Sequence, residues 1–277
     1  MKTERFEVGS GEAGTTLLDF AAARRGCSRN AAKRLLDARV VFVNRRRTWM
    51  ARHVLRAGDT VEIAAETGAP ARGAPLVVLL AEGPYIVVDK PPGVVAVGPA
   101  SVEERLRAQR DDPRVTALHR LDKDTSGCML FATRPRVRDA MIGLFRQRQV
   151  SKIYHAVCAG RVGGDRRTLR GRLDGKSAIT HLEVLSANRA ASHLAVRIET
   201  GRTHQIRKHL SALGHPVLGD PAYGTRAAQT DRGMRVPRQM LHAASIRFRC
   251  PQTGQAIVAK APLPGDFRAC LRAFELG

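Results

Sequence analysis

Ten residues, Glu66-Thr67-Gly68-Ala69-Pro70-Ala71-Arg72-Gly73-Ala74-Pro75, interrupt the apolar patterning of this 277-residue chain. Gly and Pro punctuate the stretch, nothing in it recurs at helix or strand spacing, and it reads as a linker. A single core cannot run through it. The chain therefore divides into a small domain at residues 1–68, a linker at 69–75 and a large domain at 76–277. With 43% hydrophobic residues, each part can bury a core of its own.

The small domain has a compact pattern. Leu17, Leu18, Phe20 and Ala21 give a short helix over 16–23. Ser28 is placed to cap a second helix running to about residue 38. On it Arg29 and Lys33, four apart, share one face, while Leu35 and Leu36 can point inward. Residues 40–43 form a strand, and Asn44-Arg45-Arg46-Arg47 a polar, basic turn. Gly58-Asp59 lead into the alternating strand Thr60-Val61-Glu62-Ile63. From Arg29 to Arg56, nine Lys or Arg stand against one acid, Asp37. A charge run is most often a solvated face. Concentrated on one helix and one turn, it suits a phosphate backbone, with Arg29, Lys33, Arg34, Arg45, Arg46 and Arg47 as the candidate contacts. In this order and spacing Ser28-Arg29, Lys33, Val43-Asn44 and Gly58-Asp59 resemble the S4-like RNA-binding domain over about residues 14–65. That resemblance implies a helix-plus-strand RNA-binding face without catalysis.

In the large domain, residues 76–80, 85–88, 153–157 and 193–198 read as strands. Ile206, Leu210 and Leu213 place a helix at 203–213, ended by Gly214. Residues 245–259 read as a hairpin around Pro251-Gln252-Thr253-Gly254. Strands and helices do not alternate regularly, so the expectation is an α+β fold with a mixed, mostly antiparallel sheet rather than a doubly wound parallel one.

Charge narrows the partners. Lys and Arg number 47 against 25 acids, a net +22, and such a field attracts polyanions. A GC-rich genome, in which Arg is common, would raise the same count without a nucleic-acid partner. Aromatics are only 4%, too few for extensive base-stacking platforms. The five cysteines are scattered and never spaced C-x-x-C, which speaks against a zinc site or a disulfide framework. No apolar run approaches the roughly 20 residues of a membrane helix, and no apolar signal region opens the chain. A cytoplasmic monomer without an obligate protein partner is expected.

The chemistry concentrates in His119-Arg120-Leu121-Asp122-Lys123-Asp124-Thr125-Ser126-Gly127, a polar turn leading into apolar residues 128–132. As a calcium loop it fails at the twelfth position, where Thr133 stands in place of the bidentate Glu. A plain polar corner would account for Asp and Thr but not for His, Arg and Asp together. As a catalytic loop it would set Asp122 beside cations that keep a carboxylate ionised for attack or for general-base work.

The His-Arg-Leu-Asp-x-x-Thr-Ser-Gly run resembles the signature of the RluA-type family of RNA pseudouridine synthases. Three further segments follow the family's order: Ile86-Val87-Val88-Asp89-Lys90-Pro91-Pro92-Gly93, Lys152-Ile153-Tyr154-His155-Ala156-Val157, and residues 201–210 with Gly219-Asp220-Pro221-Ala222-Tyr223-Gly224. The resemblance covers about residues 80–266. It implies an isomerase that needs no redox cofactor, nucleotide or metal. It implies Asp122 as the essential carboxylate, Arg207 as its basic partner and Tyr154 against the target base. Arg120 would occupy the place vacated by an extruded nucleotide, and Arg202 would help hold RNA. His119 would be a local support, and His204, His209 and His215 scaffold residues. Ribosomal RNA is the favoured substrate, with transfer RNA a second one. The alternative is a non-catalytic RNA-binding or ribosome-assembly factor on the same fold.

Overall fold

The computed structural model describes residues 3–37, 41–44, 46–48, 50–64, 74–224, 230–231 and 234–276. The chain forms two compact units, residues 1–74 and 75–277. Residues 65–73, which carry most of the expected linker, lie outside the described ones, as does Arg45.

The first unit comprises β1 (Thr3–Glu7), α1 (Leu17–Arg24), α2 (Arg29–Asp37), β2 (Val41–Val43), β3 (Arg46–Arg47) and β4 (Thr60–Ala64). Its sheet runs β1-β4-β2-β3, antiparallel throughout. Thr16 Oγ1 accepts the Asp19 N–H at 3.2 Å and Ser28 Oγ accepts that of Ala31 at 3.2 Å, so both helices start on a hydroxyl cap. Leu17, Phe20, Leu35 and Leu36 from the helices bury against Val41, Val43, Val61 and Ile63. One expectation is corrected. Arg46 and Arg47 do not belong to a four-residue turn; they form β3, pairing Val43 with Arg46 and Phe42 with Arg47. Asn44 is the one described residue between β2 and β3. Asn44 takes φ 50° there, as a tight hairpin requires. Its side chain donates to Asp59 Oδ1 at 2.8 Å and accepts the Thr60 N–H at 2.9 Å, which links the two polar pairs that stand out in the sequence.

The second unit contains β5 (Val77–Glu82), β6 (Tyr85–Lys90), α3 (Val102–Arg110), β7 (Thr116–Ala117), β8 (Ser126–Ala132), α4 (Pro135–Arg146), β9 (Ser151–Ala159), β10 (Arg166–Leu173), β11 (Lys176–Ala187), β12 (Ala191–Ile198), α5 (Gln205–Ala212), β13 (Thr230–Asp231), β14 (Met234–Arg235), β15 (Leu241–Arg249), β16 (Ala256–Lys260) and α6 (Gly265–Ala273). The main sheet runs β10-β11-β12-β9-β15-β8-β6-β5, with β16 on β15 and β7 on β8. Its pairs are antiparallel except β8 with β15, in line with the irregular alternation of elements. One core packs α3, α5 and α6 residues such as Leu106, Ile206 and Phe267 against Val88, Phe131 and Val196; a second packs Val137 and Met141 of α4 against Val87, Leu130 and Ile246. Helix α5 begins two residues later than its spacing suggests, because His204 is left-handed at φ 54° and cannot continue a helix. Among the described residues no helix is long and apolar enough to cross a membrane.

The parallel junction of β8 and β15 is the tightest point of the sheet. Gly127 has φ 107°, and a Cβ there would lie 2.2 Å from the Ala243 carbonyl oxygen. Neither backbone can retreat without breaking ladder bonds on its other side. Gly127→Ala is expected to destabilise the protein by about 2–5 kcal/mol, combining backbone strain with overpacking. Denaturant unfolding measures it, and an unchanged midpoint would contradict this account of the junction.

Candidate active site

The loop from Leu118 to Thr125 joins β7 to β8, and its backbone is pinned from below. Lys90, with no exposed surface, donates to the Lys123 carbonyl at 2.8 Å and to that of Pro91 at 2.9 Å. Burial pulls the Lys90 pKa down to about 7, against the pull of Asp124 and Asp122. The Gly93 N–H donates to the same Lys123 carbonyl at 3.0 Å. Arg238, clamped by Asp266 at 2.6 and 3.0 Å, donates to the Asp124 carbonyl at 3.0 Å. Gln239 donates to Thr125 Oγ1 at 2.7 Å, and Ser126 Oγ lies 2.9 Å from His242 Nδ1. His119 accepts the Leu130 N–H on Nε2 at 3.1 Å; burial, then the Lys152 charge, pull its pKa down to about 3, so it is a neutral acceptor. These bonds give Thr125, Ser126 and His119 structural work. They also engage the Lys123 and Asp124 carbonyls, so a cation would have to compete with cationic side chains for them.

Asp122 is carried on this platform. Its Oδ2 accepts from Arg207 Nη1 at 3.0 Å, and its Oδ1 lies 3.8 Å from His204 Nε2. Arg207 is 4% exposed and sits on the first turns of α5. Its Nε and Nη2 donate to Asp220 at 2.6 and 2.7 Å, a bidentate pair, which leaves Nη1 to meet Asp122. Asp220 is wholly buried and also accepts the N–H groups of Ala222 at 2.9 Å and Tyr223 at 3.1 Å. Burial opposes the charge of Asp220, but Arg207 and those N–H groups outweigh it and hold the carboxyl below its ordinary range. Burial likewise opposes the charge of Arg207, and the two carboxylates more than offset it. The Tyr223 ring lies 5.1 Å from the guanidinium carbon. Its hydroxyl is 3.0 Å from His204 Nδ1, and burial keeps His204 below its ordinary pKa despite Asp122.

Asp122, Arg207, His204 and Tyr154 line one cavity of about 590 Å³. Tyr154, from β9, is 6% exposed. Burial, then the charge of Asp122, push its pKa up, so the phenol stays protonated, and its hydroxyl has no partner among the described residues. Arg120 is exposed and borders both this cavity and a neighbouring one of about 370 Å³. No hydrogen bond or ion pair among the described residues ties its side chain. Arg202 stands in the cavity wall with Nε donating to the Ser177 carbonyl at 3.0 Å. Of the other expected RNA contacts, all in the first unit, Arg29 and Lys33 are exposed on α2, and Arg29 pairs with Asp19 at 3.2 Å. The side chains of Arg34, Arg46 and Arg47 lie outside the described residues.

Several members of the site are not legible from sequence. His204, expected as scaffold, faces Asp122 directly. Asp220 and Tyr223 belong to a sequence motif that assigns them no role. Their signal is the glycines around them: a Cβ on Gly219 would lie 2.0 Å from the Arg238 carbonyl oxygen, and one on Gly224 2.4 Å from that of Asp220. Glycines so constrained mark a segment folded tightly around its polar residues. Among the described residues no group of three His, Cys, Asp or Glu is arranged to hold a metal ion.

Asp220→Asn leaves the buried guanidinium half compensated and is expected to cost about 3–5 kcal/mol of stability. Because the folded carboxyl is held below its unfolded value, its contribution is complete above about pH 4 and disappears as pH falls through the lowered folded value. Denaturation curves of the wild type should therefore weaken on acidification more steeply than those of Asp220→Asn. Parallel curves would refute the charge assignment.

Comparison with known proteins bears on what such a site does. A family model described as RNA pseudouridylate synthase matches residues 84–212. Ribosomal large subunit pseudouridine synthase D of Xanthomonas campestris is 36% identical over 261 residues, covering 81% of this chain and 78% of its own. The protein of that name from Haemophilus influenzae is 33% identical over 283 residues, covering 90% and 87%. Among solved structures, human RNA pseudouridylate synthase domain containing 4 shares the fold, with a TM-score of 0.62 over 72% of this chain and 93% of its own at 23% identity.

Proposed function

The chain belongs to the RluA-type family of RNA pseudouridine synthases, and from that premise we propose that it isomerises uridines of ribosomal RNA with Asp122 as the essential carboxylate. The observation that carries the site assignment is the 3.0 Å contact of Arg207 with Asp122 at a cavity walled by Tyr154. The reaction breaks the N1–C1′ bond, turns the uracil and rejoins it through C5; the proton on C5 ends on N1. Positive character develops at C1′ and negative charge on the base. An ionised carboxylate serves either first step open to it, attack on C1′ or removal of the 2′ proton. Arg207 keeps that carboxylate oriented in both. Tyr154 offers its ring as a surface for the base, worth roughly 1–3 kcal/mol per stacked base. A uridine in paired RNA must first leave the stack, at a cost of a few kcal/mol. The exposed, untied guanidinium of Arg120 is suited to fill its place.

The names of the two relatives support ribosomal RNA over transfer RNA as the substrate. The first unit serves as an S4-like RNA-binding module, with Arg29 and Lys33 on the phosphate backbone. The protein works as a cytoplasmic monomer.

Asp122→Asn should lower the rate of pseudouridine formation in transcribed ribosomal RNA by at least about 10³-fold while RNA binding persists. Mass spectrometry of the RNA reads the product. Full activity in the variant would refute the assignment, and modification of transfer RNA alone would move the substrate. For the first unit, Arg29→Glu with Lys33→Glu should weaken binding and flatten the log–log salt dependence by about 0.7–0.9 for each phosphate that is no longer neutralised. An unchanged slope would remove both residues from the interface.

A further inference from the structure

Breaking the N1–C1′ bond leaves its electron pair on uracil, where it spreads onto the carbonyl oxygens O2 and O4. That charge needs a donor, and most cations lining the cavity are already engaged or exposed to solvent. Arg207 serves Asp122 and Asp220. Arg148 pairs with Glu199 at 2.9 Å, and the Arg202 Nε serves the Ser177 carbonyl. Arg120 and Arg146 stand exposed at the rim. Lys152 is different. It lines the cavity, is half-buried, and its ammonium lies 5.4 Å from the Phe145 ring centroid. Among the described residues no carboxylate or carbonyl accepts a hydrogen bond from it. Gly201 lies beside it, since a Cβ there would be in ordinary van der Waals contact with Nζ at 3.8 Å.

Lys152 and Tyr154 are two apart on β9 and project from the same face, roughly 7 Å from each other along the strand. A base lying on the Tyr154 ring would therefore bring a carbonyl edge toward the ammonium, while Asp122 faces the sugar. We propose that Lys152 is a further catalytic residue, whose ammonium donates to a uracil carbonyl oxygen and stabilises the anion formed when the glycosidic bond breaks. This rests on the reading of Asp122 and Tyr154 given above. Lys152 transfers no proton. The electron pair moves from the N1–C1′ bond into uracil and returns to C1′ through C5. Burial pulls the Lys152 pKa down to about 8, so the free enzyme carries the charged form at neutral pH and loses it as pH rises through that value.

The test compares wild type, Lys152→Met and Lys152→Arg on transcribed large-subunit ribosomal RNA, with thermal unfolding as the folding control. A preorganised donor of this type is worth about 10²–10³ in kcat, so Lys152→Met should lose that factor with little change in KM. Lys152→Arg should recover much of it. In the wild type kcat/KM should fall above about pH 8, and in Lys152→Arg that limb should move upward, which a merely structural role would not produce. Transcripts with 4-thiouridine or 2-thiouridine identify the oxygen: the thio substitution that slows the wild type should add nothing in Lys152→Met. Normal kcat in Lys152→Met overturns the proposal. So does a raised KM with unchanged kcat and a flatter salt slope, which would mark a phosphate contact instead. Either result leaves the dependence on Asp122 intact, whereas activity surviving Asp122→Asn would sink the underlying reading.

Discussion

One guanidinium shared by two carboxylates organises this site. Arg207 spends Nε and Nη2 on Asp220 and Nη1 on Asp122, so its plane is fixed before any substrate arrives. The two acids are not equivalent. Asp220 has no exposed surface and accepts two backbone N–H groups as well, which fits it to hold; Asp122 keeps one oxygen toward the cavity, which fits it to react. Three charged groups half out of water are costly to assemble. The return is a carboxylate held in place by Arg207 at 3.0 Å.

The same logic extends into the loop that carries Asp122. Its carbonyls and hydroxyls are taken by Lys90, Arg238, Gln239 and His242, which come from β6, from the segment before β15 and from β15 itself. The two central strands β8 and β15 meet where Gly127 presses on Ala243. Packing of the sheet centre and placement of the Asp122 loop are thus one constraint. A shift of either strand would move Asp122 relative to Arg207, because the loop has no slack of its own.

Electrostatic preorganisation also divides labour within the cavity. Tyr154 remains a neutral phenol and His119 a neutral imidazole, burial lowers the pKa of His204, and Arg207 already serves two carboxylates. Charge that appears on a departing base must meet a cation not already engaged. Lys152 stands in that position, on the same strand face as the ring on which the base would lie.

The sequence by itself determined the family, and it pointed to a break near residue 70 and to Asp122 as the candidate reacting carboxylate. Those properties reside in local order: the run from His119 to Gly127, the spaced segments after it and the break near residue 70. It also foretold a mostly antiparallel sheet, because strands follow one another without intervening helices. Only the tertiary structure decided what surrounds Asp122. Asp220, Tyr223, His204, Lys90 and Arg238 are far from Asp122 along the chain or look like scaffold in the sequence, and linear spacing does not report how an ion pair is distributed. It also turned Arg46 and Arg47 from a turn into a strand, since pairing with β2 outweighs a local preference for polar loops. Hydrogen-bond valence and charge balance are settled only when distant segments meet, and in this protein those two quantities set the chemistry of the site.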